Sequence, residues 1–398
     1  MKPLKHPIDP EFCQKAARYS IRICEEMSKR STLLSKEEAP EKIQVAVFDR
    51  DEILPHLGDL LGKGGFNSVY ELTQIKLQND VDERSLQGIF RKNLANSSDK
   101  LAVKFLSDDA MQNSEEFCNG AADLLMEAKY LTALAAHPHP ALIQLHGVAR
   151  AGPNGFSNPE RAGFFLVIDR LYDTLDRRID VWRELEYRKA ASGSEVANRA
   201  VMGLFLQRLM VAQDIASAIR HLHRLSIVFR DLKPDNIGFD YDGRVKLFDF
   251  GLAKELDPRQ KTEQGLYNMS GGTGSRRFMA PEVALSESYT VSADIYSFSI
   301  LFWEILTYEK AFGRLSSEEH REKVIKQGDR PPLDRRWSHA LVQLLESCWD
   351  RDPFGRPKAR DLYKGIREEI HDLYDTEFQG GKTHIPRQLN DSFRNLSH

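Results

Sequence analysis

Residues 227–239 read IVFRDLKPDNIGF, and residues 245–256 follow with VKLFDFGLAKEL. In the first string Asp231, Lys233 and Asn236 crowd together between apolar flanks. A carboxylate at Asp231 suits the removal of a proton from an attacking alcohol. Lys233 can neutralise charge on a phosphoryl group in flight, and the amide oxygen of Asn236 is a hard ligand of the kind magnesium prefers. In the second string Asp249 follows an apolar strand and stands just ahead of Gly251, a suitable place for a metal-binding carboxylate. Either string alone reads equally as an ordinary turn. Their order along one chain gives them weight.

Upstream, residues 60–70 read LLGKGGFNSVY. Glycines 62, 64 and 65 allow backbone amides to approach a polyphosphate without obstruction by side chains. Apolar residues continue on both sides, so these glycines join two strands. A dinucleotide fold needs a helix directly after them and a P-loop needs Gly-Lys-Ser/Thr; neither follows. Lys104 sits in LAVKFL, among apolar neighbours, where a lysine needs an anionic partner. The helix expected over 114–136 offers Glu127, beside the apolar face of Leu124, Leu125, Ala128, Leu131 and Leu134.

The 398 residues carry 56 basic and 59 acidic side chains, a net charge of −3 that gives no support to nucleic-acid binding. Four scattered cysteines form no CxxC pair, which argues against a disulfide framework or a zinc site and for a reducing compartment. The opening MKPLKHPIDPEF has no secretory apolar stretch, and no apolar run reaches membrane-spanning length. A cytoplasmic protein is expected, with the nucleus also open. Helical periodicity over residues 10–38 (Phe12, Ala16, Tyr19, Ile23, Met27) marks an extension outside the core. Residues 78–100 are polar and turn-rich and read as a surface insertion between strands. Strands dominate early and helices late, and the last residues read as a loose tail.

With these strings in order, the chain resembles the eukaryotic protein kinase family over roughly residues 54–373. GKGGFNSV, LAVK, FRDLKPDN, DFG and APE (residues 280–282) carry the resemblance. It implies an α+β, bilobal fold with a small antiparallel-sheet N-lobe containing one main helix (54–168) and a larger helical C-lobe (172–373). Residues 1–53 would be an extension and 374–398 a tail. It implies that Leu61, Gly62, Lys63, Gly64, Gly65 and Val69 cover ATP, and that Lys104, held by Glu127, contacts its α- and β-phosphates. Ala102, Ile168, Asp169, Leu171 and Gly238 would surround the adenine. Asp231 would orient the acceptor hydroxyl with Lys233, and Asn236 and Asp249 would hold Mg2+. The implied partners are protein substrates and ATP, without nucleic acid or membrane; the oligomeric state is open.

Other matches are structural. Glu282 and Arg356 resemble the family's buried ion pair, and Asp294 resembles the aspartate that braces the catalytic loop. DIYSF and CWDRDPFGRP resemble the tyrosine-kinase-like group, whose members mostly modify serine or threonine. Lys233 and Thr273 resemble the Ser/Thr pattern too. Three residues depart from the family: Asn67 for the third loop glycine, Phe229 for the usual histidine before Arg230, and Gly238 beneath adenine. None removes a catalytic group. Arg230 is expected to receive a phosphate placed on Thr262, Tyr267, Ser270, Thr273 or Ser275. The competing readings are a pseudokinase scaffold and a small-molecule kinase of the same fold. The first is opposed by retention of Lys104, Asp231 and Asp249, the second by the APE segment.

Overall fold

In the computed structural model the stretch LAVKFL is a central strand with all six residues buried. The structure describes residues 8–29, 31, 33, 45–78, 84–98, 100–159, 162–191 and 194–378. Two compact units emerge. The first takes residues 1–138, 143–171 and 249–251, and the second takes 139–142, 172–248 and 252–398.

The first unit is built on strands β1 (Ala46–Phe48), β2 (Leu57–Lys63), β3 (Asn67–Leu72), β4 (Leu101–Leu106), β5 (Leu145–Ala149) and β6 (Leu166–Asp169). They lie in the order β1-β5-β6-β4-β3-β2. Every pairing is antiparallel except β1 with β5, so one parallel edge strand is added to the expected antiparallel sheet. That strand lies ahead of residue 54, so the sheet reaches into the segment read as an extension. The helices are α1 (Pro10–Ser28), α2 (Arg50–Ile53), α3 (Leu86–Ala95), α4 (Asp108–Met111) and α5 (Ser114–Ala135). Asn113 starts α5 by accepting from the N–H groups of Glu115 and Glu116, whose carboxylates sit at the positive end of the helix.

The segment read as a surface insertion between strands has a structural task. Ser85 caps α3, and the Gln87 amide brackets β1 as another strand would. It accepts from Val47 N–H at 3.1 Å and donates to Val45 O at 3.0 Å. Arg91 reaches inward to pair with the fully buried Glu52. An open sheet edge is thereby blunted. Most of its described residues are exposed or half-buried, as the polar text suggests, and Arg91 is the charged side chain that turns inward.

Helix α1 ends at Ser28, short of the expected residue 38; the linker at residues 34–44 lies outside the described residues. Its buried face is Cys13, Ala16, Ala17, Ser20 and Cys24, while the larger Phe12, Tyr19, Ile23 and Met27 stay partly exposed.

The second unit has short strands β7 (Asp173–Thr174), β8 (Ile227–Val228), β9 (Ile237–Phe239), β10 (Val245–Leu247) and β11 (Lys254–Glu255). Its helices are α6 (Leu175–Ala190), α7 (Glu195–Arg224), α8 (Pro281–Ala284), α9 (Ser292–Thr307), α10 (Ser317–Glu319), α11 (His339–Cys348) and α12 (Ala359–Phe378), with a π-helical turn at His320–Gln327. Helix α9 is buried from Ser292 through Leu306, as an all-round apolar helix must be, and forms the core of this unit. The tail at residues 379–398 lies outside the described residues. No described helix is long and apolar enough to cross a membrane.

Candidate active site

Lys104 pairs with Val69 on one side and Leu166 on the other, in the middle of the first unit's sheet. Its Nζ donates to Glu127 Oε2 at 2.6 Å and lies 3.5 Å from Asp249 Oδ1. Burial alone would lower the lysine's pKa, but Glu127 and Asp249 outweigh it and hold the ammonium above its ordinary range. The Glu127 carboxyl is lifted by burial, against the pull of Lys104 and of the Phe250 N–H. Asp249 has φ of 69°, a left-handed conformation unusual for a non-glycine residue. Its side chain is 45% exposed, so a carboxylate is held by Lys104 and still open to a ligand.

Asp123, one helical turn before Glu127, was not singled out from sequence. It lies beside Gly251, and its carboxyl is raised to about 6 by burial and by the neighbouring charge of Asp249.

The glycine-rich segment is the turn between β2 and β3. Gly62 is opposite Val69 and Lys63 opposite Ser68, and Gly64 N–H donates to Asn67 O at 2.8 Å. A Cβ on Gly62 or Gly65 would meet no protein atom within 4 Å. Packing therefore does not explain these glycines, and a cradle left bare of side chains fits a polyphosphate. Lys63 pairs with exposed Asp109, so its ammonium is already engaged on the surface. Leu61 is partly exposed on β2. Ala102 and Ile168 face one another across β4 and β6, both buried. The Asp169 carboxylate is tied back to Gln144 N–H at 3.0 Å and His146 Nε2 at 2.8 Å, and its own N–H donates to Gln144 O at 3.2 Å. Leu171 closes this unit's run of chain.

In the second unit Asp231, 7% exposed, is the hub. Its Oδ2 accepts from Lys233 Nζ at 2.7 Å and Asn236 Nδ2 at 2.9 Å, and its Oδ1 accepts from Ser275 N–H at 2.8 Å. Asn236 Nδ2 also donates to Asp231 O, which leaves the amide oxygen as the group facing a ligand. Gly238 lies on β9 between Lys246 and Thr174. Asp294, fully buried on α9, accepts from Phe229 N–H and Arg230 N–H, each at 2.9 Å, and contacts His223 Nε2 at 2.9 Å. Two backbone bonds to one carboxylate hold Arg230 at φ of 70° just before the hub. Arg356 meets Glu282 with both terminal nitrogens, at 2.6 and 2.8 Å.

The activation segment, residues 249–282, brings one of its hydroxyls to this hub. The structural hydroxyl is that of Ser275, which accepts from Lys233 Nζ at 3.1 Å while its N–H holds Asp231. Thr273 instead donates to Ser270 O at 3.2 Å on the surface. Gly274 between them has φ of 98°, and a Cβ there would lie 2.2 Å from Arg230 O. That close approach sets which hydroxyl reaches the hub. Two hydroxyls within three residues give no sequence signal to choose between them.

Among the described residues no group of three or more His, Cys, Asp or Glu side chains could hold a metal ion. A carboxylate at Asp249 and an amide oxygen at Asn236 are hard donors, and magnesium is commonly completed by substrate phosphates and water. Each of these donors, taken in its own unit, is of a type that fits such an ion.

The chain is similar to known proteins over much of its length. Residues 88–365 match the protein kinase domain family. Serine/threonine-protein kinase STY17 of Arabidopsis thaliana is 27% identical over 338 residues, covering 84% of this chain and 52% of that protein. Dual specificity protein kinase shkC of Dictyostelium discoideum is 35% identical over 44% of this chain and 34% of its own length. The dual serine/threonine and tyrosine protein kinase of Gallus gallus is 29% identical over 68% of this chain and 25% of its own. The chain therefore spans between a quarter and about half of these relatives. It belongs to the protein kinase family, in the tyrosine-kinase-like group.

Proposed function

We propose that the chain transfers the γ-phosphoryl group of ATP to serine and threonine hydroxyls of protein substrates. One observation carries the reading. A carboxylate has about four acceptor positions, and three on Asp231 are filled by Lys233, Asn236 and Ser275. The remaining one suits the acceptor hydroxyl. The hydroxyl oxygen bonds to the γ-phosphorus as the bond to the β-phosphate oxygen breaks, and ADP leaves; Asp231 takes the hydroxyl proton. Lys104, fixed by Glu127, would hold the α- and β-phosphates, and Lys233 would offset charge on the group in transfer. Mg2+, when bound through Asn236 and Asp249, would screen the phosphate charge.

Control by phosphorylation is part of this proposal, with Ser270 as the acceptor best placed. Arg230 Nη1 donates to its exposed hydroxyl at 2.9 Å, and Nε is anchored on Leu252 O at 2.6 Å. A phosphate there would turn a hydrogen bond from a cation to a neutral hydroxyl into an ion pair. Ser270→Ala should keep basal turnover and lose the rise that follows preincubation with ATP.

The test is incubation with labelled ATP, Mg2+ and myelin basic protein, followed by phosphoamino-acid analysis. Label on serine and threonine that vanishes in Asp231→Asn and Asp249→Ala supports the proposal. Label on tyrosine as well would favour dual specificity, the description that two of the relatives carry. ATP binding without transfer would favour the pseudokinase reading.

A further inference from the structure

Helix α1 runs beside α5 in the same direction and is pinned at both ends. Lys15 Nζ donates to Ser114 Oγ at 3.1 Å near the start of α5. Cys24 Sγ meets Met126 Sδ at 3.5 Å, and Lys129 Nζ donates to Ser28 Oγ at 3.3 Å further on. The seam on α1 is Cys13, Ala16, Ala17, Ser20 and Cys24, all buried. Small side chains at helical spacing allow two helices to approach closely, as ridges packing into grooves require. Ser20 adds no polar debt, since its hydroxyl donates to Ala17 O at 3.0 Å.

Elsewhere around α5, Gly120 lies against Phe66 and Leu106, so close that a Cβ would be 2.7 Å from Phe66 Cβ. Met126, under Cys24, is the residue before Glu127. Helix α5 is thus held between the sheet and α1. Any displacement that draws Glu127 off Lys104 must open one of two packed seams.

We propose that α1 is a positioning element for phosphoryl transfer, holding α5 so that Glu127 stays on Lys104. The proposal rests on the kinase reading above. It extends that reading by making activity depend on a segment outside the region that matches the family, which begins at residue 88. Misplacement of a catalytic group by about 1 Å can cost roughly 10²-fold in rate, so release of α1 should be visible in turnover.

The test uses the full chain. Ser20→Arg forces a long cation into the seam, and Glu25→Arg, on the exposed face of α1, is the charge control. Activity on myelin basic protein and hydrogen exchange of residues 114–135 and 292–307 are measured together. The expected result for Ser20→Arg is faster exchange in α5, unchanged protection in α9, and kcat lower by about 10²-fold. The KM for the acceptor should stay within about threefold, and a synthetic peptide of residues 9–29 should restore turnover. Glu25→Arg should match wild type.

Freely exchanging α1 amides in Ser20→Arg, with kcat near wild type, would overturn the proposal. If that variant does not fold, Lys15→Ala with Lys129→Ala removes only the two end contacts. It should give a few-fold loss of kcat with faster α5 exchange, and no change in either overturns the proposal. A wild-type protein without phosphotransfer refutes the kinase reading itself, and is recognised before any variant is compared.

Discussion

Lys233 and Ser275 are joined by a 3.1 Å hydrogen bond, and both also bind Asp231. The catalytic loop and the activation segment are thus tied together at the carboxylate proposed to take the substrate proton. Ser275→Ala should lower kcat by roughly 10–100-fold, since Lys233 loses one of its two anchors. Ser275→Thr keeps the hydroxyl and should retain most activity. Steady-state kinetics decide it; equal rates for the Ala and Thr variants would sink the assignment.

Glu127 and Lys104 form a buried ion pair at 2.6 Å, which the proposed function places on the ATP phosphates. Glu127→Gln keeps an acceptor for Lys104 and deletes the charge, so kcat/KM for ATP should fall by about 10²-fold. Breaking a buried pair typically costs about 3–5 kcal/mol. Thermal unfolding should therefore register the change as well, and a variant with wild-type kinetics and melting would contradict the role.

Arg208 is a structural counterpart, 3% exposed on α7. It donates to Leu306 O at 2.7 Å and to Glu186 Oε2 at 3.0 Å, and lies 4.2 Å from the Tyr308 ring centroid. A cation here also suits the negative C-terminal end of α9. Arg208→Ala should destabilise the protein by about 1–3 kcal/mol, since the buried Leu306 carbonyl loses its charged donor while Glu186 keeps the Tyr308 hydroxyl. Denaturant titration should show a lower midpoint.

Glu304 supplies a pH dependence. Burial lifts its carboxyl to about 7, against the pull of Arg277 and the Ala311 N–H, from an ordinary 4.5. A folded-state value above the unfolded one means that the folded protein binds this proton more tightly. The resulting stability is fully present below pH 4.5 and is lost as pH rises through 7. Glu304→Gln does not titrate, so its melting temperature relative to wild type should rise between about pH 5.5 and 8.5. A change of about 1–3 kcal/mol, or several degrees, is expected. A constant difference across that range would refute the assignment.

The sequence by itself determined the residue types that the proposed phosphoryl transfer would need. Asp231, Lys233 and Asn236, then Asp249, Lys104 and the glycines, are legible because their chemistry is written at short spacings on recognisable strands and turns. Glu127 was legible from helical periodicity. Tertiary structure alone decided which of two neighbouring hydroxyls meets Lys233, because the answer lies in the backbone path through Gly274 and its approach to Arg230 O. It also decided that the insertion guards β1, through a buried Arg91–Glu52 pair 39 residues apart in sequence. And it turned α1 toward α5 by its small residues, since the depth of a helix–helix seam is set by the partner's surface, which the pattern of one helix does not contain.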